Sequence, residues 1–424
     1  MRTLRTLLVA AGLVIAAAAP AVAAPPSTDH VTNARAAAAW LASQVNAQGY
    51  IPSAFPPYGP DYSTTAQAVP ALVSAGVGGD AITKMLGYLG TNVDAFVSSG
   101  GNDKPGALAY LILAAHAGGA DPTTFGTPPT NLVTRLHATE QPSGLFGVQD
   151  ATYDGAFREG LSFLALDATG GAPDVAAVDW LEGQQCASGL WMAFRADTSV
   201  PCSNPDPSDF TSPDTNSTAV AVLALAAIGH STPASAGATA LEAVRNSAGG
   251  WGLSAAANQQ TDTNSTGLVA SALRVVHGAP DAQGVAAIES LQLGCDAAPA
   301  DRGGIAFQDF GSGLTPDPFA TVQATPTLAA AVYPIAPATV TSGVPDVCAS
   351  AETTTTSTSP PTTAAPATDT STSTSEAGAA VVEANALART GSDEGALALV
   401  AFVLIVGGTA LVVAARRRRI VRDL

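Results

Sequence analysis

The sequence predicts an all-α domain built from repeated helix pairs, and three observations carry that prediction. An Asp-headed segment recurs. Asp214 opens Asp-Thr-Asn-Ser-Thr-Ala-Val-Ala and Asp262 opens Asp-Thr-Asn-Ser-Thr-Gly-Leu-Val, one supersecondary unit apart. Asp61 and Asp317 open further copies, Asp103 and Asp154 looser ones, so that six fall between residues 61 and 317. Second, the stretches behind these headers, such as 219–228 and 268–276, are apolar almost all round, the pattern of helices buried on every side. Third, the intervening stretches mix one apolar face with polar residues (Glu242, Arg245 and Asn246 in 234–246), as surface helices do.

Taken in order, the periodicity places outer helices over 33–46, 80–98, 129–140, 173–185, 234–247 and 281–293. Inner helices fall over 62–76, 104–118, 154–169, 215–228, 263–277 and 318–333. Gly76, Gly118, Gly170, Gly229 and Gly278 close inner helices, where a left-handed residue is often required. Several loops leading into inner helices share a Gly-aromatic signature: Gly49-Tyr50, Gly144-Leu145-Phe146, Gly189-Leu190-Trp191, Gly249-Gly250-Trp251 and Gly303-Gly304-Ile305-Ala306-Phe307. A large side chain there buries much area against neighbouring helix ends.

Trp40-Leu41…Gln44 and Trp180-Leu181…Gln184, followed by Gly-x-Trp and then by Asp-x-x-Ser-Thr, resemble the prenyltransferase/squalene-cyclase repeat. The resemblance covers about residues 33–335 and implies an α6/α6 toroid, six inner and six outer helices in a closed ring. The 80–118 pair departs from it, having Gly100-Gly101 without an aromatic and no Ser-Thr. The same toroid serves terpenoid cyclases, protein prenyltransferases, thioester domains, cobalamin carriers and some polysaccharide lyases, so the fold does not decide the function. The cyclase motifs DxDD and DDxxD are absent, as are a Cys-Gly-Glu-Gln thioester and a Cys/His set at zinc spacing. No cofactor is therefore expected.

The flanks carry an address. Residues 1–24 read as a secretory signal peptide: Arg2 and Arg5, an apolar run over 7–19, then Ala21-Val22-Ala23. Residues 25–350 form the domain, and the Thr/Ser/Pro-rich segment 351–386 reads as a disordered stalk. Leu387-Ala388-Arg389-Thr390-Gly391, the apolar segment 395–415 and the arginines at 416–419 resemble a cell-wall sorting signal of the LAxTG form. That resemblance implies cleavage after Thr390 by a class E sortase and transfer of Thr390 to peptidoglycan. Segment 395–415 is long enough for a transmembrane helix, and the arginine tail places its C-terminal side in the cytoplasm. An exported, wall-attached protein on the extracellular face is the expectation.

Four cysteines in an exported chain read as two disulfides, with Cys186–Cys202 and Cys295–Cys348 preferred among three connectivities because each pair brackets one loop-rich stretch. The chain carries 17 basic and 34 acidic side chains, a formal charge of −17, which argues against nucleic acid as a partner. Asp61, Asp103, Asp154, Asp214, Asp262 and Asp317 would gather on one rim of the ring. They read as helix N-caps or, functionally, as an anionic collar for a ligand. Asp154 and Glu159 are the candidate catalytic pair for a glycan-cleaving reaction, which needs two opposed carboxylates. Asp206, Asp209 and Asp214 lie in an acidic loop that could hold Ca²⁺. His116, His230 and His277 fall at inner-helix ends and read as structural. The sequence is thus read as a non-catalytic, cell-surface ligand-binding or interaction protein. The alternatives are an extracellular toroid enzyme (glycan-cleaving or terpenoid cyclase-like) and a structural wall protein.

Overall fold

The computed structural model describes residues 30–55, 58–147, 155–209 and 211–348. The signal peptide, Asp154, the stalk, the Leu387–Gly391 motif and the apolar segment 395–415 lie outside the described residues. In chain order the helices are α1 (His30–Gln44), α2 (Tyr62–Ala75), α3 (Gly79–Thr91), α4 (Val93–Val97), α5 (Pro105–Ala117), α6 (Leu132–Ala138) and α7 (Ala156–Ala168). They continue as α8 (Val175–Gly183), α9 (Thr215–Ala227), α10 (Ser231–Ala243), α11 (Thr263–His277), α12 (Ala282–Glu289) and α13 (Pro318–Leu328). A two-stranded antiparallel ribbon, β1 (Ser98–Ser99) with β2 (Asn102–Asp103), joins α4 to α5. Among the described residues no helix is long and apolar enough to cross a membrane.

Helices α2, α5, α7, α9, α11 and α13 pack each against the next, and α13 returns to α2, so the inner ring closes. The outer layer consists of α1, the α3–α4 pair, α6, α8, α10 and α12. Inner helices are buried almost throughout: in α5 every residue but His116 is buried. Alanine dominates these faces and lets backbones approach closely. At two points even alanine is too large. A Cβ on Gly160 would lie 2.8 Å from the Val220 carbonyl oxygen, and one on Gly267 would lie 2.7 Å from that of Gln323.

The Gly-aromatic loops clamp neighbouring repeats together. Gly189 has φ +91° and lies against the backbone of α10, where a Cβ would stand 2.6 Å from the Ala236 carbonyl oxygen. Trp191, two residues on, is wholly buried and its indole N–H donates to the Leu181 carbonyl at 2.8 Å. Trp251 does the same to Leu241 at 2.8 Å. The last such loop closes the circle: Gly303 presses on Ala36 of α1, and the Gln292 amide donates to the carbonyls of Asn33 and Gly303 at 2.9 Å each.

Helix ends agree with the periodicity to within a few residues, with two differences. Gly76, Gly170, Gly229 and Gly278 have positive φ, but Gly118 has φ −79° and Gly119 makes the left-handed turn instead. Helix α13 ends at Leu328 rather than near 333, where Ala329, Ala330 and Ala331 return their N–H groups to the last helical carbonyls and Ala330 takes φ +53°. Both expected disulfides are present, Cys186–Cys202 and Cys295–Cys348, with Cα–Cα separations of 5.7 and 5.4 Å.

Candidate functional site

Most of the recurring Asp-Thr-Asn-Ser-Thr segment builds the ring. At the head of α11, Asp262 accepts the Ser265 N–H at 2.7 Å and the Ser265 hydroxyl at 2.9 Å. Thr263 donates its hydroxyl to the Ala306 carbonyl at 2.6 Å, tying the helix to the loop of the following repeat. The Thr266 hydroxyl accepts the Trp251 N–H at 3.0 Å. Helix α9 repeats the pattern through Asp214 with Ser217, Thr215 with Gly252, and Thr218 with Trp191, at 2.7, 2.8 and 2.8 Å. Thr65 and Thr321 take the N–H groups of Ile51 and Ile305 in the same way, each at 3.0 Å. Asn264 is left over: it is 1% exposed, and neither atom of its amide has a partner.

The five Asp headers among the described residues do not form an open collar. Asp61, Asp214, Asp262 and Asp317 do gather at one end of the ring, as N-caps accepting from Thr64, Ser217, Ser265 and Ala320 at 2.9, 2.7, 2.7 and 2.7 Å. Asp61, Asp214 and Asp262 are buried, and none of the four lines the central cavity. Burial pushes the carboxyls of Asp214 and Asp262 up to about 6, against the hydrogen bonds from Ser217 and Ser265. Asp103 sits one residue before the cap position, which Lys104 occupies, and lies in β2. Arg135 of α6 grips it through Nε–Oδ2 at 2.9 Å and Nη2–Oδ1 at 2.6 Å, and this holds the carboxyl below its ordinary value. Asp103 therefore anchors an outer helix.

Glu159 also has a structural place. The cap of α7 is Gly155, so Glu159 falls four residues past it, where four other inner helices carry the loop-binding threonine. Its Oε1 accepts the Phe146 N–H at 2.9 Å, in register with those threonine hydroxyls, while Oε2 has no partner. Burial pushes this carboxyl up to about 8, opposed by the adjacent Arg158 charge and the Phe146 N–H. Glu159 lies on the face of α7 away from Phe157, Leu161 and Leu164, which line the cavity, so it does not stand opposite a second carboxylate across the centre.

The acidic loop does not converge on a point. Asp206 accepts the Ser208 N–H at 2.8 Å, Asp209 the Thr211 N–H at 2.9 Å, and Asp214 caps α9. Among the described residues no group of three or more His, Cys, Asp or Glu is arranged to hold a metal ion. His230 and His277 pair with Glu182 and Glu242 at 2.7 and 3.2 Å, linking neighbouring helix ends. Burial holds His116 below its ordinary value.

The remaining feature is the centre of the ring, a narrow cavity of about 30 Å³. Each inner helix contributes the residue six positions past its cap: Gln67, Tyr110, Leu161, Val220, Leu268 and Gln323. One turn further along, Pro70, Leu113, Leu164, Leu223 and Ser271 extend the wall. Toward the helix N-termini Phe157 lines the cavity, and Asn264, one turn before Leu268 on the same face of α11, is buried at that level. Among the described residues no charged side chain lines this space. Sequence reasoning missed it by following the acidic headers. The signal was present in the register: counting six from each cap picks out the belt.

No protein-family profile matches the chain, and no curated protein matches it. Solved structures do. The unsaturated glucuronyl hydrolase of Bacillus sp. GL1 superposes with a TM-score of 0.52 at 11% identity, covering 71% of this chain and 95% of that one. An unsaturated glucuronyl hydrolase specific for heparin gives 0.51 at 12%, covering 71% and 96%. A type II terpene cyclase from Scytonema gives 0.47 at 16%, covering 71% and 98%. At these identities the likeness is one of fold: the described domain is an α/α toroid.

Proposed function

We propose that this chain is a cell-surface toroid that binds a largely apolar ligand in or over its central cavity. The observation that carries the reading is the cavity wall, which draws on all six inner helices and is lined by Leu, Val, Phe and Tyr with no charged group. Apolar surface held open in this way gains by being covered. The acidic headers, which suggested a polar or cationic ligand, are taken up in capping. Display outside the cell rests on the signal-like N-terminus, the stalk and the LAxTG-type segment. Sortase attachment through Thr390 to peptidoglycan is part of the proposal.

The second reading is an extracellular enzyme acting in the same cavity; two of the toroids that superpose on the domain are hydrolases. This cavity differs from what glycan cleavage needs in lacking, among the described residues, two opposed carboxylates. The test is native mass spectrometry of the exported protein and of Val220→Phe, which fills the belt. A retained ligand that the variant loses supports binding in the cavity, and the same mass excess on both proteins overturns it. If the retained species is chemically altered on prolonged incubation, the enzyme reading replaces the first.

A further inference from the structure

The Gly-aromatic loops are held by polar side chains at two places, and one loop has an acid at both. The first place lies just ahead of the loop. In three repeats it holds a donor that ties the loop glycine to the head of the next outer helix. Gln185 Nε2 donates to the carbonyls of Gly189 and Pro233 at 3.0 and 3.1 Å. Arg245 Nη1 donates to the Gly249 carbonyl at 3.0 Å and to Asp281 Oδ1 at 2.8 Å. Gln292 Nε2 donates to the carbonyls of Gly303 and Asn33 at 2.9 Å each. Between α6 and α7 the place falls to Glu140, which pairs with Phe146 as Gln185 pairs with Trp191 and Gln292 with Ile305. The second place is four residues past the inner-helix cap. Thr65, Thr218 and Thr321 accept a loop N–H there and donate their own hydroxyls to the carbonyls of Asp61, Asp214 and Asp317 at 2.6, 2.6 and 2.7 Å. On α7 it is Glu159, whose Oε1 takes the Phe146 N–H while Oε2 has no partner. The backbone is otherwise that of the other loops. The Gln141 N–H donates to the Leu145 carbonyl at 2.9 Å, as Cys186 does to Leu190 at 2.8 Å. Gly144 presses on α8, where a Cβ would stand 2.1 Å from the Ala176 carbonyl oxygen. Phe146 is wholly buried, edge-on to Phe163 at 6.5 Å. What differs is the chemistry: a carboxylate only accepts hydrogen bonds, whereas a carboxylic acid also donates one.

We propose that the loop between α6 and α7 is a clasp closed by protons, with Glu140 and Glu159 replacing the donors used in the other repeats. When both are protonated, each carboxyl carries the hydrogen that Gln185 and Thr218 supply one repeat further on, and segment 141–147 is held as firmly as its counterparts. When they ionise, the two charges repel each other and the loop loosens from α8, uncovering Phe146. Both groups sit where ionisation is unfavourable. Glu140 is 12% exposed, and burial raises its carboxyl, helped by the charge of Asp174 at the head of α8. Burial pushes Glu159 up to about 8, with a smaller push from Glu140. The opposing charges are His137, 3.7 Å from Glu140, and Arg158, 3.9 Å from Glu159. Of the inner helices packed on α7, α9 carries no charged residue and α5 only His116, in its last turn. Acids raised in the folded state favour it fully below their ordinary value of 4.5 and lose that contribution as the pH climbs toward 8. The clasp is therefore closed in acid and loosened across that window.

The experiment is hydrogen–deuterium exchange of the exported, disulfide-intact protein at a series of values from about pH 5 to about pH 8.5, each rate divided by the intrinsic rate at that pH. Segment 141–147 should match the protection of segments 185–191 and 246–251 at the acid end and fall at least tenfold below both at the alkaline end. In Glu140→Gln combined with Glu159→Gln, where neither group titrates, it should keep its acid level of protection throughout. Protection of 141–147 that parallels the two reference segments at every pH overturns the proposal from the wild type alone, whether or not the variant folds. An alkaline loss that persists in the folded double variant overturns it too, by placing the titrating group elsewhere. Loss of protection in all three segments together reports unfolding of the whole ring and overturns a local clasp.

Discussion

Replacing Glu159 by Gln should stabilise the domain at neutral pH and leave it unchanged in acid. The carboxyl stands near 8 in the folded protein, against an ordinary value of 4.5. Below about pH 4 both folded and unfolded chains hold the proton, and the group does not oppose folding. As the pH rises from 4.5 toward 8, the unfolded chain releases the proton while the folded one keeps it. Stability is therefore lost across that window. At about 1.4 kcal/mol per pH unit, the loss at pH 7 is about 3 kcal/mol. Glutamine has the same shape, keeps an oxygen for the Phe146 N–H and does not ionise, so the variant escapes this loss. For a domain of this size the gain is on the order of 5 °C in melting temperature. Thermal unfolding at pH 7 and pH 4 measures it. Equal or lower stability of Glu159→Gln at pH 7 would refute the reasoning. It would mean that the native carboxylate is ionised and well partnered, and would return Glu159 to the list of functional groups.

Other consequences follow from the same contacts. Asp262→Ala removes the cap of α11 along with the acceptor for the buried Ser265 N–H and hydroxyl, and should cost about 1–2 kcal/mol in denaturant unfolding, whereas Asp262→Asn should cost little. Opening Cys186–Cys202, of sequence separation 16, should cost about 3 kcal/mol, and opening Cys295–Cys348, of separation 53, about 4 kcal/mol, as read from melts of the Ser variants. Thr390→Ala should move the protein from the wall to the membrane fraction of a Gram-positive host with a class E sortase. Unchanged wall attachment in that variant would refute the sorting assignment.

The ring was legible in the sequence because one repeat performs one set of contacts many times. Asp214 and Asp262 head near-identical segments because each caps, and Thr218 and Thr266 recur because each holds a tryptophan loop. The looser copies misled by a single residue. Asp103 and Asp154 stand one position before the caps Lys104 and Gly155, so counting from the aspartate misplaces every later role on those helices. For that reason Glu159 read as the partner of Asp154 in a catalytic pair, when its register makes it the counterpart of Thr65. The cavity was harder to see. Gln67 and Gln323 are separated by most of the domain and become neighbours only when α13 closes on α2, a contact that no local pattern announces.

The size of that cavity follows from the composition of the inner helices. Helices rich in Ala and Gly approach until backbones touch, as Gly160 does at Val220 and Gly267 at Gln323. Drawing six helices so close leaves a narrow space on the axis, and the side chains six residues past each cap decide how much of it is filled. Tyr110 is the bulkiest of that belt and Val220 the smallest. Packing alone would favour apolar residues of matching size at all six positions, since an interior with unused polar atoms is less stable than an apolar one of the same shape. Two glutamines in the belt and a buried Asn264 run against that preference, whereas the threonines and aspartates beside them are fully used. Stability explains the recurring aspartates and threonines of the repeat. It does not explain Asn264 and Gln323, which keep buried polar atoms that the packing leaves unpaired.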